Sequence, residues 1–457
     1  METLGIPAVI IKPGLSGGSE IRMKEIFLGV VADDFTGASD AASMLSEAGI
    51  PTVLFNGVPK FVPKLRDDIK AIVVAEKTRT IDKRKAVEEM LDAFAWLHSM
   101  GTEQLYFKYC ATFDSTKEGN IGPVSDAMLK KYGYPYSVLV PALPVNGRTV
   151  RDGKLYLNGK PLSESHMRNH PLTPMTESDV TKLMEMQSEY RAYKVTVDDL
   201  RKWQDESIDI GSRLGLTPEE KKEKYYIVPD FYEDAHGDLI AEIFGNLPFL
   251  TGGSGLLGAL GRRYKKNHCE TEETENKGME LSEGAADKIM LLAGSCSKIT
   301  LEQIAEYREK QRPNIFLDPK KLLFGEIDAD SVFDNVKKMG NATLVYSSQE
   351  PEDMRRTQEM GLERVAAAIE ETMADLTRKA VSSGYTGIIS AGGETSGAVT
   401  KALGYQAFYI GRSVAPGIPV MIPVENPKLR IVLKSGGFGQ TDFFERAVKM
   451  ISGNVCE

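Results

Sequence analysis

Ala32-Asp33-Asp34-Phe35-Thr36-Gly37 sets two carboxylates and a hydroxyl between an apolar run and a stretch with helical spacing. Carboxylates placed there can take a proton from a substrate hydroxyl or hold a divalent cation. The same residues suit a helix N-cap, and the sequence leaves both readings open. A second polar cluster runs from Lys108 through Asp114, Ser115 and Thr116 to Asn120. Lys108 can pair with the carboxylate of a polyhydroxylated acid while Asp114, Ser115 and Asn120 read its hydroxyls. Arg168, next to His166 in a Pro-rich loop, is a further candidate for a carboxylate ligand. Thr251-Gly252-Gly253-Ser254-Gly255 and Ala391-Gly392-Gly393-Glu394-Thr395 each follow an apolar run and open a helix. Glycines there let the backbone approach an anion, the helix N-terminus favours negative charge, and Glu394 can hold Mg²⁺ directly or through water. Lys434-Ser435-Gly436-Gly437 and Gly294-Ser295-Cys296-Ser297 repeat the theme. None of these turns is a Walker A loop or a G-x-G-x-x-G fingerprint.

Groups so far apart in sequence need a scaffold that gathers strand ends. Residues 25–32 are short, apolar and β-branched, and Ala38, Ala41, Ala42 and Leu45 follow at helical spacing, so strand, loop and helix are expected in turn. A second strand after Gly49 completes a βαβ opening that favours a parallel sheet. The alternation continues to about residue 265, interrupted by residues 141–180, whose Pro, Asn, Gly and Ser content reads as loop. Residues 266–286 are polar and acidic and read as a linker, after which strands and helices resume at Ile289. The expected fold class is α/β, with two domains, each a mainly parallel sheet flanked by helices. A tail (1–24), an N-terminal domain (25–265), the linker (266–286) and a C-terminal domain (287–457) follow one another. Ligands of open parallel sheets bind beyond the carboxyl ends of the strands, which places the active site in the interdomain cleft.

A chain of 457 residues exceeds what one hydrophobic core usually supports, in keeping with two domains. A formal net charge of -9 excludes the broad basic footprint of a nucleic-acid or anionic-membrane binder, so an anionic ligand must be held by local groups. The four cysteines are scattered without zinc-ligand spacing, which suits a reducing cytoplasm. No stretch approaches the roughly 18 apolar residues of a membrane span.

In order along residues 25–452, VADDFTGASDAA, DST followed by GN, TGGSGL, GGETSGAV and KSG followed by FG resemble the motifs of the four-carbon acid sugar kinases. FKYCATFDSTKEGNIGPV, PALPVNGRTV and NHPLTPMTESD resemble the branch acting on 3-oxo acids more than the threonate and erythronate branches, which tend to read DSTLRGN. The resemblance implies a sugar-acid-binding N-terminal domain, an ATP-binding C-terminal domain, and Mg²⁺-assisted phosphoryl transfer from ATP to the C4 hydroxyl of a 3-oxo four-carbon acid. D-threonate or D-erythronate 4-phosphorylation is the alternative. It further implies that Asp33, Asp34, Lys108, Asp114 and Ser115 face the substrate, and that Ser295, Gly392, Gly393, Glu394, Thr395, Ser435, Gly436 and Gly437 form the nucleotide site. Asp33, Asp34 or Asp114 would serve as base, with Asp442 a further option. Gly437 departs from the family's KSGNFG, which has Asn there. The domains are expected to close over the linker, and a homodimer is left open. A nicotinamide-dependent dehydrogenase would need the missing G-x-G-x-x-G; a sugar-acid sensor would bind without turnover.

Overall fold

The computed structural model describes residues 26–170, 173–203, 209–268, 285–358 and 360–453. The tail 1–24 and most of the expected linker lie outside them; residues 266–268 belong to the helix Gly255–His268. Fifteen strands form one sheet. From one edge it runs Asn314–Phe316, Thr343–Tyr346, Ile289–Ala293, Gly387–Ala391, Arg430–Lys434, Ile418–Pro423 and Ala407–Ala415. It continues through Thr52–Asn56, Ala71–Ala75, Ile26–Ala32, Thr102–Lys108, Phe249–Gly252, Tyr136–Val140, Tyr225–Pro229 and Arg191–Val195. Pairing is parallel through the first five strands and again through the last eight. The central strands are apolar along their whole length because helices cover both faces; Ile26–Ala32, Ala71–Ala75 and Ile289–Ala293 are buried at every residue.

The two parallel runs meet at an antiparallel seam. Ala407–Ala415 pairs with Ile418–Pro423 on one side and, through Ala407, Phe408 and Tyr409, with Phe55, Leu54 and Val53 on the other. Its register with Ile418–Pro423 shifts between Ile410 and Ser413 and again before Ala415. Such irregularities bend a strand and increase its twist. The sequence reading had no strand at 407–415, whose alternation is broken by Gly411 and Arg412.

Residues 141–180, expected as loop, contain a three-stranded antiparallel sheet of Arg148–Arg151, Lys154–Leu157 and Lys160–Pro161. Asp152-Gly153 and Asn158-Gly159 join its strands, and all four residues have positive φ, the type I′ hairpin geometry that Asp-Gly and Asn-Gly favour. The signal was present but the strands were too short to read.

The helix Lys83–Ser99 packs behind the strands that carry Lys108 and Gly252. The ring of Phe94 meets those of Phe107 and Phe249 edge-on, with centroids 6.5 and 5.8 Å away. Replacing Phe94 by Ala should lower unfolding free energy by about 3–5 kcal/mol, read from chemical denaturation; a loss below about 1 kcal/mol would show that this cluster is not well packed.

Candidate active site

A cavity of 460 Å³ lies between the strand ends of the N-terminal half and the turns of the C-terminal half. Asp34, Arg79, Lys108, Asp114, Arg148 and His170 reach it from one side, and Gly393, Ser396, Gly417, Lys434 and Ser435 from the other. The cations Arg79, Lys108, Arg148 and Lys434 thus converge in a chain of negative net charge.

Arg79 is the centre of the N-terminal side, and sequence reasoning missed it. Its Nε and Nη2 donate to the two oxygens of Asp33 at 2.9 and 2.8 Å, and Nη2 also lies 3.0 Å from Asp34 Oδ2. Its Nη1 reaches Asp114 Oδ2 at 3.4 Å. Burial pushes the Asp33 carboxyl above the usual carboxylate range, against the opposing pull of Arg79, while Asp33 and Asp34 hold the guanidinium firmly charged against its own burial. Asp33 is buried behind the cavity and does not line it. Asp34 caps the helix Phe35–Glu47, its Oδ1 accepting the Gly37 N–H at 2.7 Å, and its side chain also borders the cavity.

Asp114 and the preceding Phe113 have φ of 51° and 61°, left-handed backbone that non-glycine residues adopt only under constraint. The constraint is visible. Phe113 is buried against Tyr109, and Asp114 Oδ1 accepts from Thr173 Oγ1. The Thr173 N–H donates to His170 Nδ1 at 3.1 Å. Thr173 Oγ1 lies 2.8 Å from the same nitrogen, so His170 joins the contact that holds Asp114.

Several expected binders support the site instead of lining it. Asn120 donates its amide to the carbonyls of Thr78 and Ile81 at 2.7 and 3.0 Å, which pins the loop that presents Arg79. Ser115 accepts from Gln187 Nε2 at 3.0 Å, and the same amide donates to the Thr116 carbonyl at 2.6 Å. Arg168 is exposed and donates to Ser163 O, so the structure places it outside the cavity; Met167 and His170 of its loop are the ones that face in. The turn at Gly252–Gly255 is not open to an anion either. A Cβ at Gly252 or Gly255 would lie 2.5 Å from the carbonyl of Val140 or Ala142, and Ser254 Oγ donates to Asp40 Oδ2.

Asp40 was also missed, although it sits inside the first motif. It lines the cavity, burial raises its carboxyl, and its Oδ1 has no partner among the described residues. The other three carboxylates have both oxygens engaged. Asp442 does not border the cavity.

In the C-terminal half three turns converge as their composition suggested. Gly392 has φ +129°, a conformation reserved for glycine, and its N–H donates to Lys434 O at 2.9 Å. A Cβ on Gly294 would lie 2.2 Å from Thr395 Oγ1, and one on Gly436 would lie 2.1 Å from Ser295 Oγ. The helix Gly393–Leu403 therefore starts at a glycine with no side-chain cap, and a Cβ at Gly393 would meet open space. Glu394 is exposed in its first turn. Among the described residues no three acidic, His or Cys side chains cluster as metal ligands, so a cation here would rely on the single carboxylate and its ligand's own oxygens. Gly437 is exposed, and a side chain there would meet nothing within 4 Å, so Asn would fit.

Lys434 is buried beneath these turns, and its ammonium donates to Thr300 Oγ1, Ser435 O and Gly436 O at 3.0, 3.1 and 3.3 Å. Burial lowers its pKa from the ordinary 10.5 to about 8.

Two family models cover the chain: a sugar-binding N-terminal domain at residues 28–260 and a nucleotide-binding C-terminal domain at residues 290–444. A protein of Actinobacillus succinogenes named 3-oxo-tetronate kinase is 40% identical over 431 residues, covering 93% of this chain and 100% of its own. The protein of that name from Haemophilus influenzae is 39% identical, covering 93% and 99%. Solved structures from Salmonella typhimurium and Haemophilus influenzae superpose with TM-scores of 0.83 and 0.78 at 35% and 37% identity, each covering 93% of this chain and 100% of its own.

Two outcomes test the site. Arg79→Met leaves three carboxylates without their shared cation and should lower kcat/KM by about a hundredfold or more; retention within about threefold would remove Arg79 from the machinery. Lys434 keeps its charge below about 8 and loses it as pH rises through that value, so calorimetric affinity for ADP should fall across that range and become flat in Lys434→Met. The stability sign is opposite, because between about 8 and 10.5 the unfolded chain binds a proton that the folded one does not, so this group adds stability as pH climbs. On the sequence match and the shared fold together, the chain belongs to the 3-oxo-tetronate kinase family.

Proposed function

We propose that this chain is an ATP-dependent kinase that phosphorylates the C4 hydroxyl of a 3-oxo-tetronate, giving 3-oxo-tetronate 4-phosphate and ADP. The observation that carries the reading is one cavity walled on one side by Arg79, Lys108 and Arg148 and on the other by an uncapped glycine helix start. The first side suits the carboxylate and oxygens of a small sugar acid, the second the phosphates of a nucleotide. The relatives' name supplies the substrate.

Transfer forms the bond between the C4 oxygen and phosphorus and breaks the bond between the terminal phosphorus and the bridging oxygen of ADP. Such transfers depend on positioning and charge neutralisation more than on covalent chemistry. Arg79 holds Asp33, Asp34 and Asp114 in place, and we assign the base, expected among those three, to Asp40, which lines the cavity and whose buried Oδ1 has no partner among the described residues. The first turn of Gly393–Leu403 and the Lys434 charge receive the transferred phosphoryl. Glu394 would hold the Mg²⁺ that accompanies ATP, neutralising phosphate charge. The sugar acid is assigned to residues 25–265 and the nucleotide to residues 287–457. A cytoplasmic location and a homodimer complete the reading; among the described residues no helix is long and apolar enough to cross a membrane.

A coupled ADP-release assay with Mg-ATP against a 3-oxo-tetronate, D-threonate and D-erythronate tests it, with Asp40→Asn and Asp34→Asn alongside. Turnover confined to the 3-oxo acid, reduced by about a hundredfold or more in Asp40→Asn, is the expected result. Turnover on threonate or erythronate would move the substrate, a fully active Asp40→Asn would move the base, and no ADP release from any acid would sink the kinase reading.

A further inference from the structure

Gln187 stands outside the cavity, in the turn that follows the helix Val180–Glu185, yet its side chain is bonded to the loop that carries Asp114. Its Nε2 donates to Ser115 Oγ at 3.0 Å and to Thr116 O at 2.6 Å, and its Oε1 accepts the Gly122 N–H at 3.1 Å. The two backbone partners fix which end of the amide is which, because a carbonyl only accepts and an N–H only donates. One half-buried side chain thus spans the chain from the residue after Asp114 to the first turn of the helix Ile121–Tyr132.

That helix needs an external partner. Asn120 occupies its N-cap but makes no side-chain cap bond, since its amide is spent on the carbonyls of Thr78 and Ile81 around Arg79. The first N–H groups of a helix have no partner inside it, and Gln187 supplies one to Gly122 from 65 residues away. The approach is close enough to demand glycine, because a Cβ on Gly122 would lie 2.6 Å from Gln187 Cβ. The Gln187 turn is itself fastened to the same helix. Asp126, buried within it, accepts from Ser188 Oγ at 2.7 Å and from the Glu189 N–H at 2.8 Å, and Tyr226 Oη donates to it at 2.6 Å.

Phe113 and Asp114 keep left-handed backbone only while their surroundings hold it. Thr173 bonds the Asp114 carboxylate itself, and Gln187 bonds the two residues that follow. We infer that Gln187 is a positioning residue for phosphoryl transfer, keeping Asp114 where it shares Arg79 with Asp33 and Asp34. The inference rests on the kinase reading and names what sets the geometry of its sugar-acid wall. The three bonds of Gln187 all fall within residues 115–122, on the sugar-acid side, so its effect belongs to the acid and not to the nucleotide.

The test is steady-state kinetics of two variants. Gln187→Met removes all three bonds with little change of volume, whereas Gln187→Glu can still accept the Gly122 N–H but cannot donate to the loop. The KM for the 3-oxo-tetronate should rise about tenfold or more in both variants, while the KM for ATP stays within about twofold; thermal melts check that each folds. A sugar-acid KM that does not move in Gln187→Met, or that rises together with the ATP KM, would overturn the role. Parent kinetics in Gln187→Glu would show that the residue only caps the helix, and would overturn it as well. In each of these cases the parent still turns over, so the kinase reading stands; a parent that releases no ADP with any acid would overturn both.

Discussion

The arrangement depends first on one buried guanidinium. Arg79 bonds Asp33 through both oxygens and holds Asp34 and Asp114 as well, so three acidic strand-end residues can crowd one cavity. Like charges this close would otherwise repel or take up protons, and burial already drives Asp33 in that direction. Arg79 needs positioning in turn. Asn120 supplies it by holding the carbonyls around Thr78, Arg79 and Ile81, while Asp34 begins the helix Phe35–Glu47. A buried ion network stabilises only when its polar atoms are satisfied, and here nearly every donor and acceptor has a named partner.

That network also explains the division of labour among the carboxylates. Asp33, Asp34 and Asp114 are engaged on both oxygens, whereas Asp40, bonded on one side by Ser254, keeps a buried oxygen with no partner among the described residues. Gly417, in the turn between the seam strands, lies so close that a Cβ there would be 2.7 Å from Asp40 Oδ1. The contact joins the two halves at the point where their chemistry must meet. The seam between Ala407–Ala415 and Thr52–Asn56 makes the halves one sheet, so closing motions must bend through three paired residues and a bulged strand.

In the C-terminal half the governing constraint is close approach. The turns at 294–297, 392–395 and 435–437 come near enough that side chains at Gly294 or Gly436 would collide with Thr395 or Ser295. The result is a surface of backbone N–H groups and hydroxyls above the buried Lys434, whose ammonium bonds Ser435 O and Gly436 O in its own turn and Thr300 Oγ1 of the helix Lys298–Glu309. A lysine so held contributes charge with little mobility, and its lowered pKa makes that charge sensitive to mild alkali.

The sequence by itself determined the class of fold and the identity of the turns. Apolar β-branched runs followed by helical spacing can build only parallel strands with crossover helices, and the strand ends in such a sheet are where ligands go. Asp34, Lys108, Gly393 and Lys434, which line one cavity, were therefore legible as strand-end residues before any contact was known. Arg79 and Asp40 were not. Arg79 lies in an unremarkable Lys-Thr-Arg-Thr stretch, and Asp40 sits at the edge of a helix face, so neither stands out by type or spacing. Their roles arise from partners 35 or more residues away: Asp33 and Asp114 for Arg79, Ser254 and Gly417 for Asp40. The three small hairpin strands and the seam strand escaped because short antiparallel pairs carry little periodicity of their own. Tertiary structure alone decided which carboxylates are consumed by a shared cation and which oxygen is left free, because that depends on distances between strand ends that no local pattern encodes.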